Sequence, residues 1–205
     1  THNGKLPANS YKALWELSQK GFLVIPITGR PAGWCEMIAR FWPVYAVIGE
    51  NGGFYFKYDK KMKRVFQQKE SEIKKNRKKL NTLQKEILKK VKGSAVSSDQ
   101  FCRIFDLAID FCEDVKPLSQ DKIQKIVEIF EKKGATAKVS SIHVNGWFGK
   151  FDKLSMCAKL MKSEFKIDIK KDNSMCVFVG DSPNDEPMFE FFKNSIAVKN
   201  IEKFL

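Results

Sequence analysis

The order of apolar and polar positions divides the chain into three stretches with different periodicities. In the first, Leu14, Trp15 and Leu17 fall on one side of a helix over residues 10–20, which Ser10 is placed to cap and Gly21 to stop. A continuous apolar run follows over 22–27 and is closed by Thr28-Gly29-Arg30, the pattern of a strand buried on both faces. Pro26 removes one ladder donor from it, so a bulge, or bonding through the other residues, is expected there. A helix over 33–42 and a second buried strand over 44–48 come next, ending in Gly49-Glu50-Asn51-Gly52-Gly53, a turn for glycine-tolerant backbone. Strand, helix, strand predicts a parallel sheet.

After an alternating strand over 54–58 with a hairpin partner near 64–67, the pattern changes. Amphipathic helices are predicted over 70–91 and 119–133, and antiparallel strands over 101–111 and 137–144. The parallel pattern resumes with a helix over 153–165, an apolar strand over 175–179, the turn Gly180-Asp181-Ser182-Pro183-Asn184-Asp185, a helix over 186–192 and a short strand over 195–198. The fold class read from this order is α/β: a Rossmann-like parallel-sheet core, residues 1–56 and 146–205, interrupted by an inserted α+β cap over 57–145.

Composition changes the picture in three respects. No apolar run reaches the roughly 18–20 residues that span a bilayer, and no charged-then-apolar leader opens the chain. The five cysteines are scattered, with no Cys-x-x-Cys, and read as reduced thiols, so a cytoplasmic protein with no membrane partner is expected. The formal net charge of +13 raises the question of nucleic acid. The dense lysines between Lys57 and Lys92 are, however, interleaved with Leu80, Leu83, Ile87, Leu88 and Val91 at helical spacing, and no aromatic lies between Phe66 and Phe101 to stack on bases. A solvated helix face fits better, and the surplus charge is left to attract anionic substrates.

In an open parallel sheet, loops and helix N-termini at the carboxyl ends of the strands aim N–H groups into one crevice. Three polar clusters fall at such ends: Thr28-Gly29-Arg30, Glu50-Asn51-Gly52 and Gly180-Asp181-Ser182-Pro183-Asn184-Asp185. Thr28 beside Gly29 can offer a hydroxyl to a phosphate oxygen while the backbone approaches closely; alternatively Thr28 caps the helix that follows. Asp181 and Asp185, at i and i+4 with Asn184 between them, offer hard oxygen ligands suited to Mg²⁺; alternatively Asp185 or Asn184 caps the helix at Glu186-Pro187. Lys153 opens a helix, where a lone cation opposes the dipole, which suggests an anion nearby if the lysine is not simply solvated.

In this order the clusters resemble the haloacid dehalogenase superfamily, in particular its Cof-type branch, which includes sucrose-phosphate and mannosylphosphoglycerate phosphatases. Ile27-Thr28-Gly29-Arg30 resembles its second motif, whose Thr binds the transferring phosphoryl group. Lys153 in Asp152-Lys153-Leu154 resembles the third, whose Lys neutralises phosphate and nucleophile. Gly180-Asp181-Ser182-Pro183-Asn184-Asp185 resembles the fourth, whose first Asp holds Mg²⁺, and Val47-Ile48-Gly49-Glu50-Asn51-Gly52 resembles the strand-end turn beside the substrate.

The resemblance implies a Mg²⁺-dependent phosphatase acting on a small phosphorylated metabolite, with a sugar phosphate as the substrate suggested by relatives. Thr28 and Lys153 would be catalytic, Gly29, Arg30, Asn51 and Asn184 would bind phosphate or substrate, and Asp181 and Asp185 would bind the metal. His143 and Asn145, where the cap returns to the core, are placed to touch substrate, or to serve structure. The family's first motif, Asp-x-Asp-Gly-Thr, supplies the nucleophile and is expected just ahead of Thr1; it is not among these 205 residues, while Asn3-Gly4-Lys5-Leu6-Pro7 resembles the stretch that follows it. A core without that strand is expected to expose an apolar edge. Two other readings remain: a phosphosugar mutase with the same core, and a catalytically inactive phosphate-binding relative.

Overall fold

The computed structural model describes residues 5–181 and 185–204. Asn3, Gly4, Ser182, Pro183 and the expected ligand Asn184 lie outside them.

The first helix, α1 (Ala8–Gln19), starts on Pro7 and not on Ser10, because proline already holds the extended backbone that leads into a helix (φ −66°, ψ 147°). Gly21, at φ +83°, ends it as expected. The apolar run over 22–27 does run parallel to β1 (Val47–Gly49), but as a thin pairing and not a full strand. Tyr45 N–H donates to Val24 O (2.8 Å), Ile48 N–H to Pro26 O (2.8 Å) and Thr28 N–H to Ile48 O (2.9 Å), and a single parallel bridge joins Ile27 to Ile48. Pro26 takes part through its carbonyl alone, which is how the chain accommodates a residue with no donor. Helix α2 (Ala32–Phe41) connects the two and buries Ala32, Cys35, Ile38 and Ala39. Past the glycine turn, β2 (Phe54–Asp59) and β3 (Lys61–Phe66) extend this sheet as an antiparallel hairpin, in the order β1-β2-β3.

Helix α3 (Glu70–Lys90) buries only Leu80, Leu83 and Ile87, so its lysines form an outward face, as their spacing predicts. It lies with α4 (Gln120–Lys132) against one side of a four-stranded antiparallel sheet ordered β4 (Ala95–Val96), β5 (Asp106–Asp110), β7 (His143–Trp147), β6 (Thr136–Val139). Two expected strands are shorter or divided. Of residues 101–111 only Asp106–Asp110 is strand, because the N–H groups of Ile104, Phe105 and Asp106 turn instead to the Glu50 carboxylate. Residues 137–144 form a hairpin, since Ser140 turns the chain: its N–H donates to His143 O (2.8 Å) while its hydroxyl accepts the His143 N–H (3.0 Å).

The two faces of this sheet differ. Leu107, Ile109 and Val144 pack with Leu80, Ile87, Ile123, Ile126 and Phe130 into one apolar cluster, each fully buried side chain contributing about 1.5–3 kcal/mol. The alternate residues Asp106, Asp110, His143, Asn145 and Trp147 are also buried, but on the opposite face, toward the first sheet.

The remaining elements are α5 (Lys153–Leu160), β8 (Val177–Gly180), α6 (Glu186–Phe191) and β9 (Asn194–Ala197). The helix expected over 153–165 is α-helical only to Leu160; residues 161–165 widen into a π turn that Lys166 closes at φ +61°. Strands β8 and β9 pair in parallel. Ile25 and Ile27 of the first parallel piece and Phe178 of the second enter one cluster around Met156 and Leu160 of α5, yet among the described residues no backbone hydrogen bond joins the two pieces. Their apolar margins are exposed: Phe22 60%, Leu23 54%, Val177 61% and Val179 57%. The expected open apolar edge is present.

Candidate active site at the strand ends

The glycine turn brings the three clusters together. Glu50 and Asn51 both hold positive φ (44° and 54°), an arrangement costing roughly 1–2 kcal/mol per residue that the surroundings must enforce. The enforcement is visible at Glu50, which is fully buried: its carboxylate accepts the N–H groups of Ala32 (3.0 Å), Ile104 (2.9 Å), Phe105 and Asp106 (3.2 Å). Burial first, and Asp106 second, lift its pKa to about 7, against the pull of those backbone donors and of Arg103. Asn51 N–H donates to Thr28 O (3.2 Å), and the Asn51 side chain lies where a Cβ on Gly29 would come within 3.1 Å of its Oδ1. A Cβ on Gly52 would come within 2.0 Å of Asp152 O, so only glycine lets this turn lie against the start of α5.

Lys153 is the first residue of α5. Asp152 caps the helix by accepting the Ser155 N–H (2.7 Å). The Lys153 ammonium donates to Asp185 Oδ1 (2.6 Å), and Asp185 Oδ2 accepts the Asp181 N–H at the end of β8 (3.3 Å). Asp185 stands at the N-cap position of α6 yet makes no side-chain cap bond; both its oxygens point back to the strand end. Thr28 does not cap α2 either, which starts on Pro31; its hydroxyl accepts the Arg30 N–H (3.0 Å). Thr28, Gly29 and Asn51 thus form one group and Lys153, Asp185 and Asp181 a second, and the contact of Gly52 with the backbone of Asp152 and Lys153 joins them.

Arg30 leaves that group. Its guanidinium lies over Trp34 (4.8 Å) and reaches Asp99 (3.5 Å) and Glu113 (3.3 Å), which belong to the loops of the second sheet. Glu113 in turn lies 2.8 Å from His143 Nε2. Burial pushes the His143 pKa down, opposed by Glu113, which favours the neutral ring near pH 7. Arg103 joins the same junction, donating to Gly29 O (2.9 Å) and Asp106 Oδ1 (3.0 Å), while Asn145 donates to Asp106 Oδ2 (3.0 Å). Asp99, Arg103, Asp106 and Glu113 were not singled out from the sequence, and Glu50 was read only as part of the strand-end turn. The one available signal is Asp106 and Asp110 at alternate positions of an apolar strand, which places two carboxylates on one buried face.

Beside Lys153 a cleft of about 370 Å³ opens between the two sheets, lined among others by Asn51, Lys138, Trp147, Lys150 and Lys153. Asn51 Nδ2 is buried and has no hydrogen-bond partner among the described residues. As to metal, Asp181 and Asp185 are hard oxygen donors of the kind Mg²⁺ takes. Among the described residues, though, no group of three His, Cys, Asp or Glu side chains converges on one point, so these two carboxylates fit part of a Mg²⁺ donor set.

Comparison with known proteins agrees with this layout. Residues 152–204, about a quarter of the chain, match the family model of haloacid dehalogenase-like hydrolases. No curated protein sequence matches the chain. Among solved structures, a Thermoplasma acidophilum protein superposes with a TM-score of 0.73 at 19% identity, covering 98% of this chain and 82% of its own. A haloacid dehalogenase-like hydrolase from Bacteroides thetaiotaomicron gives 0.68 at 13%, covering 98% and 84%. The sucrose-phosphatase of Synechocystis sp. PCC6803, solved with sucrose and phosphate, gives 0.65 at 13%, covering 95% and 78%. The chain shares its α/β fold with these proteins, among them a haloacid dehalogenase-like hydrolase, and residues 152–204 match the model of that family. No helix among the described residues is long and apolar enough to cross a membrane.

Proposed function

We propose that this chain forms the greater part of the active site of a Mg²⁺-dependent, cytoplasmic phosphatase that hydrolyses a small phosphorylated metabolite, a sugar phosphate being the first class to test. In this reading the sheet of β1–β3 and the elements after β7 act as the core, and the unit from α3 to β7, within the 57–145 expected from the sequence apart from the end of β7, acts as the cap that covers the substrate. The observation that supports it is the chain of contacts from Thr28 and Asn51, through the Gly52 turn, to Lys153 and its bond to Asp185, which also accepts the Asp181 N–H.

In the reaction, the nucleophilic carboxylate belongs to an Asp-x-Asp-Gly-Thr strand that is not among these residues. The exposed, apolar margins of 22–28 and β8, which share no backbone hydrogen bond among the described residues, support a strand between them. The carboxylate oxygen attacks phosphorus in line, the ester P–O bond breaks, the leaving alkoxide takes a proton from the motif's second Asp, and water then hydrolyses the aspartyl phosphate. Thr28 binds one phosphoryl oxygen and the Lys153 ammonium neutralises the group. Asp185 positions Lys153 and the Asp181 backbone, and the carboxylates of Asp181 and Asp185 would supply part of the Mg²⁺ donor set. Bound Mg²⁺ supplies further positive charge to the phosphoryl oxygens. The cap excludes water and selects the alcohol.

The test is phosphate release from a panel of sugar phosphates, with and without Mg²⁺, by the protein carrying the motif strand. Turnover that EDTA abolishes supports the reading. Failure to hydrolyse any ester, with phosphate still bound, would instead mark an inactive relative.

A further inference from the structure

The cleft between the sheets has a charge imbalance. On the face of the second sheet that looks toward the core, each acidic group is matched: Asp106 by Arg103 and Asn145, Asp110 by the N–H groups of Cys112, Glu113 and Asp114, and Glu113 by Arg30. Lys138, opposite Asn145 in the β6–β7 register, shares that face, and neither it nor Lys150 makes an ion pair among the described residues. Both line the cleft beside Lys153. The carboxylate at its rim, Asp152, is engaged as the cap of α5. A second observation marks the cleft as a ligand site: Asn51 lines it, is 5% exposed, and has an Nδ2 with no hydrogen-bond partner among the described residues.

We propose that this cleft is the leaving-group subsite and that it takes phosphate esters whose alcohol half carries a second anionic group, a carboxylate or another phosphate, set against Lys138 and Lys150. The inference rests on the phosphatase reading for the placement of the reacting phosphate at Thr28 and Lys153. One lysine comes from the edge strand of the second sheet and the other from the loop leading into α5, so a bound anion joins both sides of the cleft. A neutral sugar phosphate leaves both ammonium groups without a partner. Two solvent-facing ammonium groups give a preference on the order of tenfold over a neutral analogue.

The test uses matched esters. Glycerol 3-phosphate and 3-phosphoglycerate differ only in a hydroxymethyl against a carboxylate; fructose 6-phosphate and fructose 1,6-bisphosphate differ by a second phosphate. Both kcat/KM and calorimetric affinity are measured for each. The anionic member of at least one pair is expected to be preferred about tenfold, and the pair that responds identifies the group. The Lys138→Met, Lys150→Met double variant should lower that ratio at least about fivefold, and the Lys138→Arg, Lys150→Arg variant should keep it. Equal handling by the native protein, or a preference that survives the double Met variant, overturns the subsite. Hydrolysis without preference fells the subsite alone. Tighter binding of the anionic ester, lost in the Met variant but with no hydrolysis, fells the phosphatase reading alone. Neither binding nor hydrolysis fells both.

Discussion

Gly52→Ala tests whether the glycine turn places Lys153. Gly52 sits at φ +101°, and an added Cβ would meet Asp152 O at 2.0 Å, Asp152 C at 2.3 Å and Lys153 N at 2.9 Å. All three are backbone atoms, so no side chain can swing aside. Ordinary contact begins at 3.4 Å, so the turn and the first turn of α5 must separate by about 1.4 Å (3.4 minus 2.0). Gly134 is the internal control, with φ +75° and nothing within 4 Å of an added Cβ. Gly134→Ala therefore has only the dihedral cost, roughly 1–2 kcal/mol, offset by about 0.4–1 kcal/mol from the stiffer unfolded chain. Gly52→Ala adds an overpacking cost of about 1–3 kcal/mol. Urea unfolding should place Gly52→Ala about 2–4 kcal/mol below the native protein and Gly134→Ala about 0.5–1 below. Because the displaced atoms begin the helix that carries Lys153, the 2.6 Å bond to Asp185 is broken as well, and phosphate turnover should fall at least tenfold in Gly52→Ala only. Two variants of equal stability, with turnover intact, would refute the argument that this contact sets the site.

Asp181→Ala should abolish Mg²⁺-dependent phosphate release; full activity in this variant would remove it from the metal site. Lys153→Met should lower kcat by roughly 10²–10³ and leave Asp185 without its cation, so a variant with native kcat would exclude Lys153 from charge neutralisation. Glu164 offers a pH test away from the site: burial raises its pKa, but hydrogen bonds from Lys63 (2.6 Å), Tyr55 (2.9 Å) and Lys57 (3.2 Å) outweigh it and hold the value at about 2. A depressed carboxylate stabilises above its unfolded pKa and loses that stabilisation as pH falls through the folded one. The native protein should therefore exceed Glu164→Gln by about 1–2 kcal/mol at pH 7, a figure reduced because Lys63 is half exposed, and the gap should close between pH 4.5 and 2. A constant gap across that range would show the hydrogen bonds to be insensitive to the charge of Glu164.

The strand ends were legible because strands buried on both faces are continuous apolar runs, and each run here stops at a glycine or a small polar residue. Gly29, Gly52 and Gly180 mark the ends where Thr28, Asn51 and Asp181 stand. The exposed lysine face of α3 was legible by the same periodicity. What was not legible depends on partners distant in the chain. The local pattern extends residues 101–105 into a strand, and only a carboxylate more than fifty positions away withdraws their N–H groups. Arg30 reads as a phosphate ligand from its neighbours, but its partners are 69 and 83 residues distant. The hairpin at Ser140 and the π turn after Leu160 depend on local hydrogen bonds that leave no periodic trace.

The junction between the two sheets holds Glu50, Asp106 and Arg103, all nearly or fully buried. A buried ionic network is at best equal in stability to an apolar core of the same volume, so strength alone does not account for it. Geometry does. Glu50 gathers N–H groups from the start of α2 and from the entry to β5 onto one carboxylate, while Arg103 reaches from that entry to the carbonyl of Gly29. The turn that presents Asn51 and the segment that leads into the second sheet therefore share ligands and cannot shift independently. An apolar junction could slide by a fraction of an ångström at little cost; hydrogen bonds at 2.9–3.2 Å cannot. Asp106, on the polar face that roofs the crevice, is the member that joins this network to Asn145. In the proposed reading, recognition of the alcohol by that face and placement of the phosphate by the turn would be set by one group of residues, which would give the first and second sheets the relative precision that in-line transfer requires.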